Sequence, residues 1–228
     1  MDKHTQITLA IVFMCLNSLI LGAAPKQDQT VPAQRSAKYT SRSAEAATTW
    51  QKDVRAKLFE LLNMNDLVRK RSSIPLNTKE LSSTDRQTYH VREMEINSTS
   101  SRRIKIVVTV PASKSKSVPA VVCVGGHGSN LYSPYDTRTI AGDGQRAKAD
   151  SIYKGFGTVL ATMEYVTIST TVSQHKVYEE GRLLMGERLW DLMRCVDYLQ
   201  SMPEVDGRRI GCAGLSLGAC PSNAPSNS

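Results

Sequence analysis

Long apolar runs are almost absent from this chain of 228 residues, which limits how it could associate with a membrane. The clearest run covers residues 7–21, after Lys3 and His4 and before the small residues 22–24. A basic start, a short apolar stretch and a small-residue exit are typical of a secretory signal peptide, whereas a membrane span needs about 20 apolar residues. We therefore predict a signal peptide over residues 1–24 and a secreted or periplasmic protein. An uncleaved N-terminal anchor is the alternative.

Cysteine is also scarce, with five residues in the chain, and Cys15 lies within the predicted signal peptide. The remaining cysteines, Cys123, Cys195, Cys212 and Cys220, show no paired spacing, which argues against a disulfide framework and a zinc site. The first three lie in apolar patterns, where free cysteine behaves as a small buried hydrophobic residue. We predict no metal and no cofactor.

Aromatic residues make up only 6% of the chain, and this bears on its net charge of +8. Residues 25–118 carry 18 Lys and Arg against 9 Asp and Glu, whereas residues 119–228 carry 10 against 11. The basic residues are scattered among Ser and Thr without interleaved aromatic residues, so no stacking platform for single-stranded nucleic acid is indicated. The pattern favours a solvated face and predicts no nucleic-acid partner.

The first half of the chain shows three patterns. Residues 25–43 are polar without a hydrophobic period and predict a flexible leader. Apolar residues then recur at spacings of three and four, which predicts an amphipathic helix over about 44–63. Residues 89–96 and 103–110 loosely alternate on either side of a turn, and they predict an antiparallel hairpin.

The second half is typical of an α/β protein. The continuous apolar run at 119–124 predicts a strand that is buried on both faces. Further elements are predicted as a helix around 146–154, a strand at 157–163, a helix over 185–199 and a strand at 209–213. An antiparallel hairpin followed by parallel strands with flanking helices is the predicted fold class, over residues 44–218.

A candidate nucleophile follows the last predicted strand. Gly214-Leu215-Ser216-Leu217-Gly218 fits the pattern G-x-S-x-G, in which a strained strand-to-helix turn holds the serine hydroxyl above the edge of the sheet. Gly214 and Gly218 would allow close packing where a Cβ would clash. We predict that Ser216 is the catalytic residue of this nucleophile elbow. An ordinary Gly/Ser turn is the alternative.

A candidate oxyanion hole supports this interpretation. Acyl transfer requires preorganised N–H groups that stabilise the oxyanion, and one donor is normally the residue after the nucleophile, here Leu217. The other comes from a loop after an earlier central strand, where Gly126-His127-Gly128 lies in this sequence. We predict the backbone N–H of His127 as this donor, with that of Gly128 next. A role of His127 as the catalytic base is the less favoured alternative.

The second half resembles α/β-hydrolases of the dienelactone hydrolase and acetyl xylan esterase type. The resemblance covers roughly residues 109–218 and rests on Trp190-Asp191-Leu192-Met193-Arg194, Val196-Asp197-Tyr198-Leu199, Pro203-Glu204-Val205-Asp206, Arg209-Ile210 and the elbow. It implies an esterase that acts through an acyl-enzyme on a small-molecule or carbohydrate ester, with acetylated carbohydrate as one substrate. Gly125 departs from the histidine of many relatives, and Ala219-Cys220-Pro221 departs from their helix-forming residues.

The partners that such a serine requires do not follow it in the sequence. In this fold the acid and the histidine come after the serine, but His4, His90, His127 and His175 all precede Ser216. Residues 219–228 contain neither an acid nor a histidine. This predicts a truncation or a change of reading frame near Gly218, a disordered tail over 219–228 and an inactive form, with His175 as an unorthodox alternative base. Glu164 and Asp191 are interpreted as loop-edge and helix-face charges.

Two other functions remain open. A non-catalytic secreted module or a decayed gene product could share the fold, and the missing partners favour it. Residues 142–147 fit G-x-G-x-x-A, with Glu164 about 20 residues further on, as in dinucleotide-binding proteins. The residues before this segment, 135–141, are too polar for the buried strand that this fingerprint requires.

Overall fold

The computed structural model describes residues 37–112, 117–135, 153–172 and 176–219. The chain divides into two units, Met1–Arg42 and Ser43–Ser228, and all that follows concerns the second. The predicted signal peptide, most of the predicted leader and of the helix around 146–154, the whole G-x-G-x-x-A segment and residues 220–228 lie outside the described residues.

Helices and strands alternate in the second half, as the apolar pattern predicts. The helices are α1 (Ala44–Leu61), α2 (Asn65–Lys70), α3 (Phe156–Thr162) and α4 (Leu184–Ser201). The strands are β1 (Lys79–Asp85), β2 (Tyr89–Asn97), β3 (Arg103–Pro111), β4 (Val118–Val124), β5 (Val166–Thr170) and β6 (Val205–Gly214). None of the helices that the structure describes combines the length and the apolar character needed to cross a membrane.

The strands form one mixed sheet in the order β1-β2-β3-β5-β4-β6. The hairpin of β2 and β3 is antiparallel, as predicted, and β1 and β5 also pair antiparallel with their neighbours in it. Strand β4 pairs parallel with both β5 and β6. The predicted fold class, a hairpin followed by parallel strands with flanking helices, is confirmed.

Each face of the sheet packs against its own apolar layer, because successive side chains of a strand point to opposite faces. On one face, Ile106 and Val108 of β3 join a core with Leu192 and Leu199 of α4. On the other face, Val107 packs in a cluster that contains Tyr135 and Ala161, the second of which lies on α3. The sheet is thus covered on opposite faces by α4 and α3.

Helix α1 confirms the predicted amphipathic helix. Ser43 caps its N-terminus, since its Oγ accepts a hydrogen bond from the Ala46 N–H at 3.2 Å. Leu58 and Phe59 in the last turns pack against a cluster around Trp190. The apolar stripe therefore serves to dock the C-terminal part of α1.

The strand predicted at 157–163 is wrong, because these residues belong largely to helix α3 and the strand β5 begins at Val166. A short apolar run does not by itself distinguish a buried strand from a buried helix. Gly157 packs tightly against the Tyr135 ring, where a Cβ would lie 2.8 Å from Cε1. Strand β1 was not predicted at all, since it is polar and exposed along its whole length.

The burial of each described cysteine depends on the position of its strand or helix in the fold. Cys123 on β4 and Cys195 on α4 are buried, as predicted, and burial raises the pKa of the Cys123 thiol. Cys212 on β6 is exposed, against the prediction. Its strand lies at the end of the described sheet, and half of the ten residues of this strand are exposed.

A buried ion pair joins α4 to the turn between β2 and β3, and it corrects the interpretation of Asp191 as a helix-face charge. The Asp191 carboxylate is only 2% exposed and accepts hydrogen bonds from Arg102 at 2.7 and 3.0 Å. Ser98 Oγ donates a third bond at 2.5 Å, and Trp190 Nε1 donates to the Ser98 carbonyl at 2.8 Å. Burial raises the pKa of Asp191, and the Arg102 guanidinium counteracts this effect.

A second ion pair, between Asp66 and Arg182, makes stability depend on pH. The Arg182 guanidinium donates to both Asp66 oxygens, at 2.6 and 2.7 Å, and lowers the pKa of Asp66 to about 2. Because this pKa lies below its unfolded value of about 3.9, the contribution of the ion pair to stability is complete above that pH and is lost as the pH falls towards 2.

Asp66→Asn should therefore lower the free energy of unfolding at pH 7 by under about 1 kcal/mol, since the carboxylate is 40% exposed. Urea unfolding at pH 7 and pH 3 measures this, and a difference from wild type that grows on acidification would contradict the assignment.

Candidate active site

Ser216 lies in a strained turn directly after β6. Its φ is +56°, in the left-handed region that residues other than glycine rarely adopt, at a cost of about 1–3 kcal/mol. A single 3₁₀ turn, Ser216–Gly218, follows the strand after only Leu215. The Ser216 side chain is exposed. This is the strand, sharp turn and helical turn that a nucleophile elbow requires.

The two elbow glycines lie where a side chain would collide with backbone. A Cβ on Gly218 would lie 2.5 Å from the Val124 carbonyl oxygen and 2.6 Å from that of Gly125. A Cβ on Gly214 would overlap the carbonyl group of Gly218. Gly218 therefore allows the elbow to pack against the end of β4, and Gly214 allows the turn to close on itself.

Parallel pairing of β4 with β6 brings the predicted oxyanion loop to the elbow. Val124 is the register partner of Gly214, so the segments after both residues leave the sheet at the same edge. The Leu215 N–H donates to the Val124 carbonyl at 3.3 Å. A Cβ on Gly126 would lie 3.1 Å from Ser216 Cβ, so the loop touches the candidate nucleophile.

The loop itself is a tight turn. Its first carbonyl, on Gly126, accepts hydrogen bonds from the Ser129 N–H at 3.1 Å and from Ser129 Oγ at 2.6 Å. Gly128 has a φ of +72° and stands third in this four-residue turn, the position at which a type II turn requires positive φ. Ser129, which is buried and was not predicted from the sequence, therefore fixes the conformation of the predicted donors His127 and Gly128.

Solved structures share this arrangement of strands and helices. A Bacteroides fragilis protein assigned as an acetyl xylan esterase matches with a TM-score of 0.64 and 18% identity, over 82% of this chain and 52% of its own. The chain has the α/β-hydrolase fold.

Two further hydrolase-fold structures agree with this match. A glucuronoyl esterase from Solibacter usitatus matches with a TM-score of 0.53 and 14% identity, over 79% of this chain and 55% of its own. A methylesterase matches with a TM-score of 0.57 and 17% identity, over 79% of this chain and 38% of its own. The chain spans about half the length of the Bacteroides fragilis protein. No protein-family model matches the sequence, and no curated protein matches it significantly.

Within the hydrolase fold, the predicted site residues differ in how closely the structure brings them together. Ser216, Leu217, Gly214 and Gly218 share the elbow, and His127 and Gly128 follow directly on the residue that contacts Ser216. The Gly126 N–H already donates to Tyr153 Oη at 2.7 Å. The predicted second oxyanion donors, the N–H groups of His127 and Gly128, follow Gly126 in the loop.

The described histidines differ sharply in their distance from this site. His90 lies on β2, separated from β6 by three strands of the sheet, and its Nδ1 is 2.5 Å from Asp85 Oδ1. His127 is exposed in the loop beside the elbow, whereas His4 and His175 lie outside the described residues. Within the described ranges, no group of three His, Cys, Asp or Glu residues could hold a metal ion.

Proposed function

We propose that this chain carries the nucleophile and the oxyanion loop of a secreted serine hydrolase that cleaves carboxylic esters. The observation that carries the proposal is the positive φ of Ser216 in an elbow whose Gly218 packs on the end of β4. The glycine loop that touches Ser216 supports it, because acyl transfer needs backbone donors beside the nucleophile. Secretion rests on the pattern of residues 1–24 alone.

The proposed reaction follows from these groups. Ser216 Oγ attacks the ester carbonyl carbon, its proton passes to a base, and the carbonyl electrons move onto oxygen. The N–H groups of Leu217 and His127 stabilise this oxyanion. The bond to the alcohol then breaks as the protonated base returns its proton to the leaving oxygen, and water hydrolyses the acyl-enzyme to the free acid and Ser216.

Esters of carbohydrates are the proposed substrate class. The similar structures are described as acetyl xylan, glucuronoyl and methyl esterases, which act on different ester bonds. Acetylated carbohydrate agrees with the first of these and with the sequence resemblance. An acetyl group is also small enough to need no large acyl pocket.

Ester hydrolysis by this chain requires a base that accepts the proton of Ser216. No acid or histidine follows Ser216 in the sequence, and a serine hydroxyl is a weak nucleophile without an adjacent base. We therefore expect negligible turnover of an activated acetyl ester by the chain itself, and we expect added imidazole to serve as the base. A non-catalytic module with the same fold is the second candidate.

Imidazole rescue separates the two candidates. Acetylation of the protein by p-nitrophenyl acetate, followed by intact mass spectrometry, should show one added acetyl group that depends on imidazole and is absent in Ser216→Ala. An oxyanion hole and substrate binding alone leave about 10³–10⁴-fold acceleration over water in such enzymes, even without the serine. The acetyl group on the protein, rather than ester turnover, is therefore the readout that isolates the role of Ser216.

Ser201→Ala is the matched control. The Ser201 hydroxyl on α4 donates to the Tyr198 carbonyl, away from the elbow, and its loss should leave the acetylation rate unchanged. Equal acetylation of wild type and Ser216→Ala would support the non-catalytic module. Fast Ser216-dependent hydrolysis without imidazole would instead show that the chain has its own base, with His127 the first to replace.

A further inference from the structure

Tyr153 lies beside the candidate nucleophile, although no sequence motif includes it. Its side chain is nearly buried, and its Oη accepts the Gly126 N–H at 2.7 Å. Both Tyr153 Oη and Ser216 Cβ lie within 3.2 Å of the point that a Cβ on Gly126 would occupy. The phenol and the serine therefore border the same small space in front of Gly126.

The backbone directly after Tyr153 forms a sharp turn. Lys154 and Gly155 have φ values of +53° and +60°, so the chain turns sharply between Tyr153 and the first residue of α3. Positive φ is costly for a lysine. Such strain is retained only where the surrounding packing fixes the conformation.

Within the described part of the chain, the phenol of Tyr153 uses only part of its hydrogen-bond capacity. A tyrosine hydroxyl has one hydrogen to donate and can also accept, and Gly126 uses only the accepting side. Among the residues that the structure describes, no acceptor for the phenolic hydrogen is found. An oxygen that accepts a hydrogen bond also becomes a better donor, because hydrogen bonds in a chain polarise one another.

We propose that Tyr153 donates its phenolic hydrogen to the oxyanion that forms when Ser216 attacks an ester. The inference rests on the proposed function of Ser216. The Ser216 Oγ–carbon bond forms, the carbonyl electrons move onto oxygen, and the phenol binds that oxygen without giving up its proton. When the intermediate collapses, the bond to the alcohol breaks and the phenol is unchanged.

Tyr153→Phe tests the donation, with imidazole-assisted acetylation of Ser216 by p-nitrophenyl acetate as the readout. Loss of one oxyanion donor should slow acetylation about 10²-fold, mainly in the maximal rate rather than in the ester concentration at half-saturation. The matched control is Tyr135→Phe, because the Tyr135 hydroxyl is also buried and bonded, to the Val107 carbonyl at 3.3 Å, but on the cluster beneath α3. The control should keep the wild-type rate.

A fluorinated tyrosine at position 153 distinguishes donation from mere support of the loop. Fluorine makes the phenol more acidic, so the hydroxyl loses its hydrogen within an accessible pH range while the oxygen still accepts from Gly126. Acetylation should then fall as the pH rises and the phenolate forms, whereas wild type should show no such fall over the same range. This variant retains the hydroxyl, so it also decides the question where Tyr153→Phe does not fold.

The outcomes separate this inference from the proposed function. A rate near wild type in Tyr153→Phe, or an unchanged pH profile with the fluorinated residue, would overturn the role of Tyr153 while Ser216→Ala still abolished acetylation. Failure of wild type to be acetylated at Ser216 would overturn both. A slow Tyr153→Phe variant together with a shifted pH profile would establish Tyr153 as a catalytic residue.

Discussion

Asp191→Asn should lower the free energy of unfolding by about 3–5 kcal/mol, because it leaves a buried guanidinium without its counter-charge. The Arg102 and Asp191 side chains are only 13% and 2% exposed, and the guanidinium bonds both carboxylate oxygens. An amide accepts on one atom only and carries no charge. Urea unfolding at neutral pH measures the loss.

An exposed ion pair supplies the control for this variant. Lys57 and Glu60 on α1 are 57% and 61% exposed, so Glu60→Gln should change the free energy of unfolding by no more than about 0.5 kcal/mol. The double variant Asp191→Leu with Arg102→Met should cost less than Asp191→Asn, since no unpaired charge remains buried. Equal effects of Asp191→Asn and Glu60→Gln would show that the buried pair does not hold α4 to the β2–β3 turn.

Gly218→Ala should lower the reactivity of Ser216 about 10²-fold and also destabilise the fold. The new methyl group would lie 2.5 Å from the Val124 carbonyl oxygen and 2.6 Å from that of Gly125. These are backbone atoms at the end of a central strand and cannot rotate away, so the elbow must move instead. Overpacking of this kind costs about 1–3 kcal/mol, and a displacement of about 1 Å at a reacting group can cost about 10²-fold in rate.

Gly211→Ala tests whether the effect is local. Gly211 lies on the same strand, β6, but the nearest atom to its Cβ would be the Ala120 carbonyl oxygen at 4.0 Å. This variant should fold and be acetylated like wild type in the presence of imidazole. Acetylation of Gly218→Ala at the wild-type rate would mean that the elbow does not fix the position of Ser216.

The elbow could be predicted from the sequence because its determinants are local. A strand, two glycines and a serine within a few residues specify the turn, and the steric reason for each glycine is visible in the structure. The hairpin and α4 were predictable for a similar reason, since their apolar residues recur with a regular period. The error at α3 arose where the apolar run was too short to show a period.

Contacts between distant segments could not be predicted in this way. Tyr153 and Gly126 are 27 residues apart, and Arg102 and Asp191 are 89 apart, with no pattern in either segment that names the partner. The sequence places Asp191 on a helix, but only the packing of α4 against the turn of the hairpin shows that its carboxylate is buried. Ser129 was missed because a single serine after glycines is common in any loop.

The most direct test of the account is to locate the covalent adduct. A fluorophosphonate or an activated acetyl ester, applied with imidazole, should modify the tryptic peptide that begins at Ile210, and fragmentation should place the group on Ser216. The modification should be absent in Ser216→Ala, about 10²-fold slower in Gly218→Ala, and unchanged in Gly211→Ala. Modification spread over surface residues to the same extent in all four proteins would contradict the assignment of Ser216 as a nucleophile.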